Sequence, residues 1–306
     1  MGPRAGAQPG SMQTLYFMSP PGPGWGLRGR ANFRSREAAP ADAAGARQEW
    51  LALARAIEQR DHRAAALPSP DAALTGLPYA AECGHALARP GKAPLFLLPR
   101  MKGAHRQGER EHWAPLARRM GFEVVDPGAG IWEAQGDVAV FDGCTLLFWG
   151  GRTDRAGHEA ARAHFPGEVL ELEIREPAFH GNMALLPLPA VDRLLVCPAV
   201  LAGGGLQALE ARFGRERLLH VSEAEIRSYA TNGLPLGRDW LAPSVVPERV
   251  RALVAGTGMR VVDLPMVNLC EKGGGASRCL VMVAQVDGVQ VPPEHRLDAV
   301  ARELGA

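Results

Sequence analysis

Short apolar strands and amphipathic helices alternate along the chain in a unit that recurs. Residues 94–127, 145–174, 193–223 and 239–266 each contain an apolar strand, a Pro or Gly, an amphipathic helix and a second apolar strand. Self-similarity at about 45–50 residues is the signature of a repeat architecture. The pattern therefore predicts an α/β fold built from one supersecondary unit used several times.

The helices of these units have a single apolar face. In the unit 94–127 the apolar positions follow the i, i+3, i+4, i+7 spacing of a stripe that packs against a sheet: Trp113, Leu116, Ala117 and Met120. The charge-rich stretch 106–112 precedes this stripe and is interpreted as a solvated helix start. The N-terminal stretch fits the same template, with a strand at 14–18 and a longer insertion before its helix.

Each unit except the N-terminal one has a further apolar strand in front of it. Asp142-Gly143 joins one such pair and is a strong hairpin signal. The missing leading strand of the N-terminal unit has a candidate at the far end of the chain, residues 279–285. Pairing it with 14–18 closes a ring of five units and removes exposed sheet edges. The alternative is a plain α/β sandwich.

Composition is that of a globular protein with no electrostatic bias. The 306 residues are 46% hydrophobic and 22% charged, and the formal net charge is +1. Such a balance gives no bulk attraction to nucleic acid or to an anionic membrane, and no apolar run approaches the length of a membrane span. Residues 1–12 are rich in Gly, Pro and Ala and are expected to be a disordered tail or an expression remnant, which leaves 13–306 as a single domain.

The five cysteines form no CxxC pair and no secreted disulfide framework. Reduced thiols in the cytoplasm are the simplest interpretation. A zinc site made of Cys83, His85 and Cys279 uses residue types that bind this metal, but their spacing matches no local zinc motif.

Chemically active residues recur at one position of the unit, immediately before the leading strand. If the units form a ring, these residues face its axis. They are Glu82, Cys83 and His85; Glu133 and Asp137; His180 and Asn182; Tyr229 and Asn232; and Cys279. A thiol, an imidazole and carboxylates that converge on one cavity are the components of nucleophilic catalysis.

Five segments carry a resemblance to a known family. Residues 132–137, 152–159, 179–188, 229–232 and 273–282 resemble the motifs of the guanidino-group-modifying enzymes, the superfamily of dimethylargininases, arginine deiminases and amidinotransferases. The resemblance extends from about residue 13 to residue 285. It implies the pentein fold, a five-bladed α/β propeller of pseudo-fivefold strand–strand–helix–strand repeats.

The resemblance implies three catalytic roles: Cys279 as nucleophile, His180 as general acid and base, and Glu133 as the carboxylate that positions His180. The residue types suit the chemistry, because a guanidinium carbon is a poor electrophile and a thiolate is a strong nucleophile whose pKa falls beside a bound cation. In family enzymes an arginine at the position of Arg152 binds a substrate carboxylate, as a guanidinium does well.

Other predicted substrate contacts depart from the family pattern. They are Glu82, His85, Asp137, Asn182 and Asn232. Tyr79 and Asn182 stand where the family often has Asp, and His85 stands where it often has Asn. Two anions for a guanidinium are therefore missing, and Glu82 compensates for one of them at most. An N-substituted or otherwise modified guanidino compound is a better candidate substrate than arginine.

The sequence thus predicts a cysteine-dependent hydrolase of a guanidino C–N bond, acting on a small molecule. It is expected to need no organic cofactor or metal, and a homodimer is possible. An amidinotransferase, in which an amine replaces water, is the alternative. A third hypothesis is non-enzymatic, because pentein folds also serve as ribosome-binding factors that lack a catalytic thiol.

Overall fold

Five small three-stranded sheets contain the named strands of the described part of the chain. This computed structural model describes residues 12–27, 32–60, 62–68 and 74–305. The predicted tail 1–12 lies outside these ranges except for Met12. Within the described ranges, no helix has both the length and the apolar character needed to cross a membrane.

The strands are short, and their bounds follow the predicted apolar runs closely. They are Gln13–Met18 (β1), Arg63–Ala66 (β2), His85–Leu87 (β3), Leu95–Leu97 (β4), Glu123–Val125 (β5), Val138–Phe141 (β6), Cys144–Trp149 (β7), Val169–Glu173 (β8), Leu185–Leu188 (β9), Arg193–Val196 (β10), Leu218–His220 (β11), Leu234–Leu236 (β12), Asp239–Pro243 (β13), Arg260–Leu264 (β14) and Met282–Val286 (β15).

The α-helices of the described residues include one between the two parallel strands of each sheet. They are Ala43–Glu58 (α1), Glu109–Met120 (α2), Arg155–Arg162 (α3), Gly181–Ala184 (α4), Gly205–Phe213 (α5), Glu223–Ile226 (α6), Glu248–Ala255 (α7) and Leu297–Glu303 (α8). The apolar stripes predicted for the helices are buried: in α2, Trp113 and Leu116 are at most 2% exposed. Asp42 caps α1 by accepting hydrogen bonds from the amides of Ala44 and Gly45.

The strand order confirms the predicted repeat. The sheets are β3–β4–β5, β6–β7–β8, β9–β10–β11 and β12–β13–β14, and the remaining one is β15–β1–β2. In every sheet the leading strand is antiparallel to the central strand, and the third strand is parallel to it. A parallel pair requires a crossover, which explains why a helix recurs between these two strands.

The N-terminal unit takes its leading strand from the C-terminal part of the chain. In the antiparallel pair β1–β15, Gln13 lies opposite Val286 and Phe17 lies opposite Met282. The strand begins at Met282, three residues later than the start of the predicted range 279–285. Cys279 therefore lies in the turn before the strand, and its side chain is not constrained by a sheet ladder.

Candidate active site

A cavity of about 330 Å³ collects side chains from four of the repeated units and from the insertion after β1. Its wall includes Glu82, Glu133, His180 and Cys279, and Arg152 also contributes. The sulfur and the imidazole, which are 99 residues apart along the chain (180 to 279), thus share one cavity. The volume lies at the small end of the range for ligand pockets, about 300–1,000 Å³.

His180 and Glu133 form a short, buried polar contact in the wall of the cavity. The Nε2 of His180 lies 2.6 Å from Glu133 Oε2, and both side chains are 1% exposed. Glu133 is fixed from other directions, since its Oε1 accepts the backbone N–H of Lys102 at 2.9 Å and Arg152 Nη1 lies 3.4 Å from its Oε2. A carboxylate held in this way orients the imidazole and stabilises its protonated form.

Asp137 fixes the backbone that carries His180. One of its carboxylate oxygens accepts the amide N–H of Gly181 at 2.7 Å, and the other accepts the hydroxyl of Thr153 at 2.6 Å. Thr153 Oγ1 in turn accepts the amide N–H of Glu133 at 3.0 Å. Asp137 does not line the cavity, so the structure places it behind the imidazole rather than beside a ligand.

The ionisable groups around His180 shift one another's proton affinity. Burial alone would lower the pKa of His180, but the carboxylates of Glu82, Asp137 and Glu133 outweigh it and raise that pKa above its usual range. Burial would raise the pKa of Glu133, yet the hydrogen bond from His180 and the charge of Arg152 bring it far below its usual range. Burial raises the pKa of Asp137 to about 6. Both shifts favour the charged forms of His180 and Glu133.

The thiol of Cys279 has neutral amides as its hydrogen-bond partners. The residue is 2% exposed, and its sulfur lies 3.6 Å from the amide nitrogen of Asn182. Burial and the charge of Glu82 raise the pKa of the thiol to about 12, although hydrogen bonds from Asn232 and Asn182 and the charge of Arg278 act the other way. The thiol is thus protonated at pH 7 until a further positive charge comes close to it.

Asn182 and Asn232 hold the loops on either side of the thiol. Asn232 Oδ1 accepts the amide N–H of Ala276 at 3.0 Å, and its Nδ2 donates to the carbonyl of Asn182 at 3.2 Å. Neither asparagine lines the cavity. The predicted substrate contacts at these two positions are, in the structure, contacts to the thiol and to the backbone that carries it.

The glycine run before Cys279 makes room for Tyr79. A Cβ at Gly275 would lie 2.5 Å from the ring of Tyr79 and 3.0 Å from the Cβ of Cys279. The Tyr79 hydroxyl donates to the carbonyl of Leu269 at 3.0 Å. The ring therefore forms the wall of the cavity beside the thiol, at the position where an acidic residue was expected from the resemblance.

His85 lies away from the cavity. Its ring is 6% exposed, its Nδ1 is 3.3 Å from the amide nitrogen of Gln135, and it packs against Phe165 with the ring centres 5.1 Å apart. Burial and the charge of Arg278 lower the pKa of His85 to about 3. Because it is the first residue of β3 rather than part of the preceding loop, its side chain is directed by the strand.

Sequence comparisons find relatives of low identity. No family model matches the chain. A Caenorhabditis elegans protein described as uncharacterized is 24% identical over 188 residues, which are 60% of this chain and 66% of that protein. The N(G),N(G)-dimethylarginine dimethylaminohydrolase of Mycobacterium tuberculosis is 24% identical over 244 residues, 80% of this chain and 77% of that enzyme.

Solved structures give a closer match in shape. The N-terminal domain of ArgZ, an arginine dihydrolase of cyanobacteria, matches with a TM-score of 0.80 and 21% identity over 90% of this chain and 99% of that domain; it is a cysteine-to-serine mutant bound to substrate. Another structure of the domain, with a TM-score of 0.79 and 21% identity over 89% of this chain and 97% of that chain, holds a covalently bound reaction intermediate. The chain has the fold of the guanidino-group-modifying enzymes.

Two charged residues near the cavity were not predicted from the sequence to be buried. Arg106 and Glu109 were interpreted as part of a solvated helix start, but they are 6% and 1% exposed. Arg106 lines the cavity and donates a 2.7 Å hydrogen bond to Glu82. The interpretation was wrong because each charge is compensated inside the protein. Only the i, i+3 spacing of Arg106 and Glu109 was visible in the sequence.

The cysteines and the considered zinc site have a simple outcome. All five cysteines are free and buried. Within residues 12–27, 32–60, 62–68 and 74–305, no group of three or more His, Cys, Asp or Glu side chains is arranged to hold a metal ion. Cys83, His85 and Cys279 are all within these ranges, so they do not form the zinc site.

Proposed function

We propose that the protein is a hydrolase that cleaves a guanidino C–N bond through a covalent intermediate on Cys279. The observation that carries the proposal is the His180–Glu133 pair, bonded at 2.6 Å in the wall of the cavity that also contains the thiol. A dimethylarginine dimethylaminohydrolase among the relatives and an arginine dihydrolase with a covalently bound intermediate among the structural matches support the same chemistry.

The thiol requires the substrate for its activation. Its pKa of about 12 leaves the sulfur protonated in the empty cavity. A guanidinium placed beside it adds a positive charge in a site of low dielectric, which favours the thiolate, and the thiol proton is released to solvent. The reacting group of the substrate thus supplies the cation that converts the thiol into a nucleophile.

The first half of the reaction attaches the amidino group to the enzyme. The Cys279 thiolate attacks the guanidino carbon and forms a C–S bond, which gives a tetrahedral adduct. Protonated His180, stabilised by Glu133, donates its proton to one nitrogen, and the bond between that nitrogen and the carbon breaks. An amine or ammonia leaves, and an amidino-thioether remains on the sulfur.

The second half releases the product. Neutral His180 now takes a proton from water, whose oxygen attacks the amidino carbon. The C–S bond breaks and the electron pair returns to sulfur. The proton left on the ureido group passes to the thiolate, which restores the thiol, and the neutral ureido product leaves. His180 ends protonated, as it began. One imidazole therefore serves as acid and then as base, which is the role that a raised pKa and a fixed carboxylate partner suit.

The cavity favours a modified guanidino compound over arginine. Tyr79 presents an aromatic ring beside the thiol, and Glu82 Oε1 is the carboxylate oxygen that faces His180 without a hydrogen bond from it. Arg152 lines the wall with its guanidinium stacked 4.7 Å from the ring centre of Phe179, a placement that suits a substrate carboxylate. An N-substituted guanidino acid satisfies these features.

The fold supports a finer architectural proposal. Residues 13–286 supply five equivalent units, and the N-terminal unit is completed by a strand from the other end of the chain. A closed ring of five units, with the cavity on its axis, accounts for both facts and makes 13–306 one catalytic domain. The five free thiols fit a reducing compartment such as the cytoplasm.

A substrate panel tests the proposal. Arginine, N-methylated and N-hydroxylated arginines and short guanidino acids are incubated with the protein and with its Cys279→Ser variant, and the ureido and amine products are quantified. The expected result is one ureido product for each amine released, from an N-substituted compound and only with the unaltered protein. Amidino transfer to an added amine in place of ureido formation would show a transferase, and equal turnover by Cys279→Ser would contradict the mechanism.

A further inference from the structure

Arg106 is a fully engaged buried guanidinium in the cavity wall. Its Nη1 donates to Glu82 Oε2 at 2.7 Å, and its Nε and Nη2 donate to the Glu109 carboxylate at 2.9 and 2.8 Å. Its Nη2 also donates to the carbonyl of Gly76 at 3.0 Å. Such a fork between two carboxylates fixes the position of both.

The surrounding backbone is shaped to hold this arrangement. A Cβ at Gly76 would lie 2.1 Å from both Arg106 Nε and Glu109 Oε1, so a larger residue would displace the ion pair. A Cβ at Gly136 would lie 3.2 Å from both Glu82 and His180. Gly76 thus leaves room for the Arg106–Glu109 ion pair, and Gly136 leaves room for Glu82 beside His180.

The two oxygens of Glu82 have different surroundings. Oε2 is held by Arg106, whereas Oε1 lies 3.4 Å from His180 Nδ1. This last contact is not a hydrogen bond, because Nδ1 has no hydrogen-bond partner among the described residues. If Arg106 did not hold Oε2, the carboxylate could turn and accept the Nδ1 proton. His180 would then be bonded to carboxylates at both ring nitrogens.

We infer that Arg106 is a positioning residue that acts through Glu82: it retains the Glu82 carboxylate and so keeps His180 Nδ1 available to the reacting group. The inference rests on the proposed function for the role of His180 in catalysis, but the geometry that it describes does not. The carboxylates that act on His180 are those of Glu82, Asp137 and Glu133. Arg106 pairs with Glu82, and Arg152 pairs with Glu133. The other charged or titratable residues that line the same cavity are Arg36, Tyr79, Lys102, His105, Glu176 and Cys279.

The test is a titration of the His180 imidazole by nuclear magnetic resonance in the absence of substrate. The variant is Arg106→Met combined with Glu109→Gln, which removes one buried positive and one buried negative charge together. Release of Glu82 should move the His180 midpoint to higher pH by about one unit, because a carboxylate hydrogen bond favours the charged imidazole. Arg110→Met is the matched control: Arg110 follows Glu109 on α2, pairs with Asp126 at the surface, and should leave the midpoint unchanged.

A second change shows whether the effect passes through Glu82. Adding Glu82→Gln to the Arg106→Met/Glu109→Gln variant should abolish the upward shift. A folded Arg106→Met/Glu109→Gln variant with the wild-type midpoint, or an equal shift with and without Glu82→Gln, would overturn the inference. If the charge-balanced variant does not fold, Arg106→Lys takes its place, because an ammonium cannot reproduce the fork; a wild-type midpoint there would overturn it as well.

Turnover separates this inference from the proposed function. With an active substrate, the charge-balanced variant should lower kcat more than it raises KM, and the kcat–pH profile should move with the His180 midpoint. Arg106→Lys keeps the positive charge beside Glu82 but not the fork, so its kcat and its His180 midpoint should lie between those of the wild type and of the charge-balanced variant. A shifted His180 midpoint in a protein that hydrolyses no guanidino compound would reject the proposed function and leave the positioning role intact.

Discussion

The groups that contact or face His180 are ionised side chains, whereas those next to Cys279 are the amide of Asn182, the preceding glycines and the ring of Tyr79. His180 contacts Glu133 and faces Glu82, which Arg106 holds in turn. The thiol is next to the amide of Asn182 and the glycine run before it, against which the Tyr79 ring packs. These surroundings favour a charged imidazole at His180 and a neutral thiol at Cys279.

These different surroundings suit the proposed roles of the two groups, in which His180 donates a proton and Cys279 loses one. A raised pKa at His180 stores the proton that the leaving nitrogen needs. A raised pKa at Cys279 prevents the buried sulfur from carrying an uncompensated charge. In the proposed mechanism the bound guanidinium favours the thiolate, so the reaction begins when the substrate is bound.

The largest expected effect comes from removing the sulfur. Cys279→Ser should lower turnover by at least about 10⁴-fold, because an alcohol with no adjacent base is a far weaker nucleophile. Steady-state kinetics with the best compound of the panel measures the loss. Cys144→Ala is the matched control, since Cys144 is also buried but lies in β7 outside the cavity. Comparable losses in the two variants would speak against a special role for Cys279.

Removing charge from the His180 side should have the next largest effect. Glu133→Gln should lower kcat by about 10²–10³-fold. The sign of the pH effect is fixed: the carboxylate raises the pKa of His180, so its loss lowers that pKa, and the high-pH limb of the kcat profile should move to lower pH. An unchanged profile in an equally stable variant would mean that Glu133 does not set the charge of His180.

The protonation of the Cys279 thiol is tested by alkylation in the absence of substrate. With a thiol pKa of about 12, labelling of Cys279 by an uncharged haloacetamide should be slow at pH 7 and accelerate about tenfold for each pH unit up to about pH 10. Peptide mass spectrometry measures the rate at this cysteine. Rapid labelling at pH 7 that does not change with pH would show a preformed thiolate and remove the contrast between the two sides.

The smallest effect concerns the packing of the neutral side. Gly275→Ala should lower the free energy of unfolding by about 1–3 kcal/mol, because its Cβ would overlap the ring of Tyr79. Denaturant unfolding gives this value, and Gly26→Ala, whose Cβ would meet open space, is the control. Equal stability of the two variants would indicate that Tyr79 can move away from the thiol.

The sequence was sufficient to predict the repeat and the meeting of Glu133, His180 and Cys279 in one cavity. Strand and helix periodicities are local, and the same position before each leading strand recurs in every unit, so Glu133, His180 and Cys279 could be selected together. The direction of a single side chain could not be predicted from the sequence. His85 is the first residue of β3, and its imidazole packs against Phe165 instead of facing the cavity.

Buried charge was the main feature that sequence patterns could not give. A run of charged residues at a helix start is normally solvated, and Arg106 and Glu109 lie in such a run. Their burial depends on Glu82, which is 24 positions away from Arg106 along the chain. Because a buried charge is stable only with its partner in place, it can be recognised only after the tertiary contacts are known.

The most direct test of the covalent mechanism is mass spectrometry of the protein quenched during turnover. The peptide containing Cys279 should gain the mass of the amidino fragment of the substrate, and this species should accumulate before ureido product is released. Product formation at full rate without any adduct on Cys279 would contradict the covalent mechanism.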